Sequence, residues 1–156
     1  MKTLVLGIGN TLLRDEGVGV HVLSQLGNMP LPEDVSLLNG GTLSFTLAGP
    51  IQAADALVVV DAANLQTAPG CLQVFEGEAM DAFLVGNRKF SAHEVGLADL
   101  RAIALLAGHW PQRRALVAIQ PQVVDWGELP TPAVDAAIPM AAAAIRDLIQ
   151  TWRHGH

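Results

Sequence analysis

Short apolar runs of strand length alternate with stretches of helical periodicity along this chain, and that alternation limits its folding more than any other feature. Residues 3–8, 35–38, 56–60 and 116–119 are dominated by Val, Leu, Ile and Ala, with little polar alternation. A strand apolar on both sides must be covered on both sides, which calls for parallel pairing with helices packed on each face. A further run, residues 71–75, has the turn residues Pro69-Gly70 before it and Glu76-Gly77-Glu78 after it. It follows the third strand after a short loop and can run antiparallel to it. The pattern predicts an α/β fold, a three-layer sandwich around a mostly parallel five-stranded sheet with helices on both faces. No repeat or linker divides the chain, so residues 1–156 read as a single domain.

The intervening stretches carry helix signals. Asp15 is a fitting N-cap for a helix running to about Asn28, with Gly19, Val22, Leu23 and Leu26 on one face. Asn39-Gly40-Gly41 ends the second strand, and Thr42 or Ser44 would cap a helix toward Asp55 that Pro50 must begin, bend or break. Residues 77–92 have mixed loop and helix character. Ser91-Ala92-His93-Glu94 has capping-box spacing and would open a helix carrying Leu97, Leu100, Ile103, Ala104 and Ala107, stopped by Gly108. Thr131-Pro132 reads as an N-cap with Pro at the first helical position. The last helix carries Val134, Ile138, Ala141, Ile145, Leu148 and Trp152 in one stripe, and Pro139 removes the bond to the Asp135 carbonyl.

Composition excludes several classes of function. Half the residues are apolar and 15% are charged, so the chain folds. The formal charge is −6, and its only basic pairs are Arg88-Lys89 and Arg113-Arg114. There is no basic stripe for nucleic acid. No run approaches the roughly 18 apolar residues of a membrane span, so no membrane insertion is expected. The one cysteine, Cys71, cannot form an intrachain disulfide and reads as a small core residue of its strand. It fits a reducing compartment. Gly-Ile-Gly-Asn-Thr interrupts the first apolar run too early for a signal peptide. The expected location is cytoplasmic.

Familiar catalytic motifs are incomplete. Gly7-Ile8-Gly9 opens like a dinucleotide fingerprint, but Leu12 stands where its third Gly or Ala belongs. Asp15 and Glu16 at the helix start would repel a phosphate. No P-loop and no Gly-x-Ser-x-Gly elbow is present. His93-Glu94 begins like a zinc-protease helix, but residue 97 is Leu rather than His.

Glu16, Asp61 and His93 remain. Each sits where a strand or loop hands over to the next element, and in a parallel α/β fold the carboxyl ends of the strands gather into one crevice. Taken singly, Glu16 can serve the helix dipole, Asp61 can cap a turn, and His93 can be a surface loop residue. Together, two carboxylates and an imidazole form an open three-ligand set suited to Zn or Ni. At a helix N-terminus His93 tends to be neutral, as a ligand must be. All three are expected at a pocket mouth open to solvent, with Glu16 and His93 outside the core. His154 and His156 flank Gly155 in a frayed tail.

At these residues the sequence resembles the hydrogenase maturation endopeptidases. The resemblance is carried by Leu4-Val5-Leu6-Gly7-Ile8-Gly9-Asn10 running into Asp15-Glu16-Gly17-Val18-Gly19-Val20, by Gly40-Gly41-Thr42, and by Val58-Val59-Val60-Asp61-Ala62. Ser91-Ala92-His93-Glu94-Val95-Gly96-Leu97, Ile119-Gln120-Pro121 and Leu129-Pro130-Thr131-Pro132-Ala133-Val134 extend it over nearly the whole chain. It implies an endopeptidase that recognises nickel in the precursor of the nickel-iron hydrogenase large subunit and removes its C-terminal extension. It implies Glu16, Asp61 and His93 as both the metal-recognition and the catalytic residues. Nickel is then supplied by the substrate, and zinc or cadmium could occupy the site in vitro. Two positions depart from the family pattern. Asn39 stands where an acid usually precedes Gly-Gly-Thr, and Gln122 stands where Glu usually follows the proline. The alternative reading is a non-catalytic nickel-sensing or chaperone protein for hydrogenase assembly.

Overall fold

In a computed structural model that describes residues 1–41, 45–86, 102, 103, 105, 106 and 108–155, five strands form one sheet. They are β1 (Thr3–Ile8), β2 (Val35–Gly41), β3 (Ala56–Ala62), β4 (Leu72–Glu76) and β5 (Arg113–Ile119), in the spatial order β2-β1-β3-β5-β4. The first three and β5 run parallel, and β4 is an edge strand antiparallel to β5. Its direction relative to β3 is as expected, but its hydrogen bonds go to β5 and not to β3. Every residue of β1 and β3 is buried, whereas the edge strands β2 and β4 are partly exposed. A run apolar on both faces therefore marks an interior strand, as the sequence pattern predicts.

The helices with bounds among the described residues are α1 (Val18–Leu26), α2 (Ala48–Ala53), α3 (Glu78–Gly86) and α4 (Pro132–His154). Alternate strand residues point to opposite faces. Val5, Val58, Val60 and Val117 pack with Val22 and Leu26 of α1 and with Ile138, Ala141, Ile145 and Ile149 of α4. Leu6, Leu57, Val59 and Leu116 pack on the other face with Ile51 of α2 and with Met80 and Leu84 of α3. Each fully buried side chain of this kind contributes about 1.5–3 kcal/mol. These two cores are the layers above and below the sheet. No helix among the described residues is long and apolar enough to cross a membrane.

Several local expectations change. Asn39-Gly40-Gly41 does not end β2. Asn39 and Gly41 stay paired within β2 and Gly40 is passed over, because the register slips where Gly7 faces Asn39 but Ile8 faces Gly41. Gly41 has φ +51, so the slip uses a conformation that glycine adopts without strain. Pro50 lies in the first turn of α2, where its missing N–H costs nothing. A 3-10 turn, Phe45–Leu47, leads into that helix, while Thr42 and Ser44 lie outside the described residues. Most of the helix expected after Ser91 lies outside them too. Gly108, its expected stop, has φ +74, as a helix C-terminus favours. Cys71 precedes β4 and is exposed, so it is not a core residue. Pro139 stays inside the continuous helix α4.

Candidate active site at the sheet switch point

In the order β2-β1-β3, the chain leaves β1 toward one side and returns to the other. A crevice opens outside the carboxyl ends of the strands where this reversal occurs. Glu16 follows β1 and Asp61 is the penultimate residue of β3, so each lies at the carboxyl end of a strand flanking the reversal.

The loop after β1 is shaped by close backbone contacts. The Asn10 side-chain oxygen accepts from the Leu12 N–H at 2.9 Å, and its carbonyl accepts from the Leu13 N–H at 3.0 Å. A 3-10 turn, Arg14–Gly17, then folds back onto the end of β1. Gly9 has φ +134, and a Cβ there would stand 1.9 Å from the Glu16 carbonyl oxygen. Gly19 lets α1 approach equally closely, since a Cβ on it would stand 2.2 Å from the Val60 carbonyl oxygen. The glycines of Gly7-Ile8-Gly9 thus admit this chain's own turn and helix.

Asp15 does not cap α1; the N-cap is Gly17. The Asp15 carboxylate is fully buried and reaches across to the segment between β5 and α4. It accepts hydrogen bonds from the backbone N–H groups of Gln122 at 2.8 Å, Val123 at 2.9 Å and Thr131 at 2.6 Å, and from the Thr131 hydroxyl at 2.8 Å. Burial alone pushes its pKa up, but the bonds from Val123, Thr131 and Gln122 outweigh burial and hold it below the ordinary carboxyl value. Thr131 is the N-cap of α4 by backbone geometry, yet its hydroxyl serves Asp15. Local sequence signals mark both residues as helix caps and give no hint of their partnership.

Glu16 and Asp61 are both mostly buried, where an open rim was expected. For Glu16, the cause is the turn folding back against Gly9 and β3. Asp61 lies in a buried strand, and its Oδ1 accepts from the Ala62 N–H at 2.7 Å. Removal from water strengthens a carboxylate's attraction for a cation. The structure therefore places two of the three expected ligands at one end of the sheet. His93, the third, lies outside the described residues. Among the described residues, no group of three or more His, Cys, Asp or Glu side chains is gathered for a metal.

Neighbouring motif residues have structural roles as well. Asn39 Oδ1 accepts from the Gly41 N–H at 2.9 Å and supports the irregular end of β2. The Gln120 side-chain oxygen accepts from the Leu65 N–H at 2.6 Å, tying the loop after β3 to the end of β5. Gln122 contributes its backbone N–H to Asp15.

Comparisons with known proteins agree on one relationship. Residues 20–148 match the model of the family described as HycI, hydrogenase maturation protease. The chain is 39% identical over 154 residues to the hydrogenase expression/formation protein HupD of Rhodobacter capsulatus, covering 97% of this chain and 72% of that one. It is 34% identical to the hydrogenase 2 maturation protease of Escherichia coli, covering 94% of this chain and 92% of that protein. The solved structure of the hydrogenase maturating endopeptidase HybD from E. coli superposes with a TM-score of 0.85 at 33% identity, covering 99% of this chain and 94% of that one.

Proposed function

This chain belongs to the hydrogenase maturation protease family, and we propose that it recognises nickel in the precursor of a nickel-iron hydrogenase large subunit and removes that precursor's C-terminal extension. Relatives named as protease and endopeptidase support cutting over a non-catalytic sensing or chaperone role. The observation that carries the reading is the placement of Glu16 and Asp61 at the β1/β3 reversal, with Glu16 in a turn anchored by its neighbour Asp15.

Nickel belongs to the substrate in this reading. Glu16, Asp61 and His93 engage the ion while cysteines of the precursor continue to hold it. Two carboxylates and an imidazole suit such a borderline cation, and zinc or cadmium would take the same donors in vitro. Engagement of the ion brings the C-terminal segment into the crevice. Asp61 then acts as an aspartyl-type general base, taking a proton from the water that attacks the scissile carbonyl carbon. The carbon–nitrogen bond breaks, and the departing amine takes up a proton. The single cysteine of the chain supports work in the reducing cytoplasm.

The reading is tested by incubating precursor with Glu16→Gln, Asp61→Asn and His93→Ala variants and detecting the released peptide by mass spectrometry. Each is expected to keep its fold and lose processing. Full processing by any one of them would remove that residue from the site.

A further inference from the structure

Residues 12–15 and 123–131 are far apart in sequence but are laced into one lobe beside the candidate site. The Gly127 N–H donates to the Leu12 carbonyl at 2.9 Å, and the Arg14 N–H donates to the Gly127 carbonyl at 2.9 Å. The Asp15 N–H donates to the Val123 carbonyl at 3.1 Å, and the Arg14 Nε donates to the Leu129 carbonyl at 3.0 Å. The buried Asp15 carboxylate adds three bonds to the same segment, from Val123 and Thr131, and a fourth to Gln122 beside it.

These bonds engage the lobe's polar backbone and leave large apolar side chains exposed. Trp126 is 78% exposed and Leu129 75%, the highest values for large apolar residues among the described residues. Leu12, whose carbonyl accepts from the Gly127 N–H, is 51% exposed. None of these three side chains belongs to either core, and large apolar side chains exposed on adjoining, hydrogen-bonded segments point to an interaction surface. Trp is the side chain that most often anchors such a surface. Asp125 and Glu128 bracket Trp126 and are exposed, giving the patch an acidic rim.

We propose that this lobe is the docking surface for the folded body of the large-subunit precursor, with Trp126 as its anchor. The proposal rests on the proteolytic reading above. Continuity with the site identifies the occupant. The chain that carries Leu12 runs on through Asp15 into Glu16, so a protein seated on the lobe has its tail beside the carboxyl ends of β1 and β3. Docking there supplies affinity that does not depend on the ion, and it gives one protease a means to prefer one precursor. The matching face on the precursor is apolar at its centre and basic at its edge.

The test compares wild type with a Trp126→Ser/Leu129→Ser double variant, using nickel-loaded large-subunit precursors from the same organism. Binding and cleavage are measured in parallel. Because both side chains are exposed, the melting temperature should hold. KM is expected to rise by about tenfold or more, with kcat at saturation within about twofold, and precursor binding should weaken in step. An Asp125→Lys/Glu128→Lys variant should weaken binding most at low salt. Equal binding and equal KM in wild type and the Ser variant would overturn the proposal. So would a wild-type dimer that the Ser variant breaks without a change in KM, since the patch would then belong to a second copy. A wild type that binds precursor through the lobe but releases no peptide would sink the proteolytic reading and leave the docking surface standing.

Discussion

The carboxylate of Asp15 accepts both the backbone N–H of Thr131, at 2.6 Å, and its hydroxyl, at 2.8 Å, across 116 residues of sequence. One end of this link precedes Glu16 and the other starts α4. The turn that carries a candidate ligand is thereby fastened to the longest described helix of the fold.

Removing the Asp15 acceptors leaves the buried N–H of Thr131 and the part-buried N–H groups of Gln122 and Val123 short of partners. Asp15→Asn also puts an NH2 group where one oxygen accepted. The expected loss of stability is about 2–4 kcal/mol, read by urea denaturation. Thr131→Val removes only the hydroxyl bond and should cost about 1 kcal/mol. A loss no larger for Asp15→Asn than for Thr131→Val would show that the link matters little.

The same carboxylate makes stability depend on pH. Burial opposes its ionisation, but its hydrogen bonds prevail and hold its pKa below the ordinary value. The unfolded chain, with an ordinary carboxyl pKa of about 3.9, therefore takes up this proton first as pH falls. The stabilisation is fully present above that value and is lost as pH drops toward the folded-state pKa. Wild type should lose melting temperature more steeply below about pH 4 than Asp15→Asn does. Parallel curves for the two proteins would contradict the assignment.

Gly19 separates two kinds of glycine. A Cβ there would lie 2.2 Å from the Val60 carbonyl oxygen and 2.4 Å from that of Ile8, so Gly19→Ala must displace α1 and the turn before it. A loss of about 1–3 kcal/mol or more is expected, together with loss of processing. Gly49 has open space around it in α2, and Gly49→Ala should be neutral or stabilising by up to about 1 kcal/mol. Calorimetry on the pair checks this, and equal effects would refute the close-approach argument.

Strands β1 and β3 could be read from the sequence because burial on both faces writes an unbroken apolar run. The stripe of α4 was legible for a similar reason: Val134, Ile138, Ala141, Ile145 and Trp152 all face the core. Asn39-Gly40-Gly41 misled because residues that usually end a strand can remain paired when the register slips. Asp15 misled more deeply. Its side chain looks like a cap for the nearest helix, and nothing local announces partners more than a hundred residues away. Glu16 could be singled out as a candidate from its motif, but its burial depends on how tightly the turn packs on Gly9, which periodicity does not encode.

The account turns on nickel carried by the substrate. The direct measurement incubates the purified chain with matched nickel-loaded and nickel-free large-subunit precursor and quantifies the released C-terminal peptide. Rapid release from the loaded precursor and little from the nickel-free one is expected. Equal release from both would contradict recognition of nickel by Glu16, Asp61 and His93.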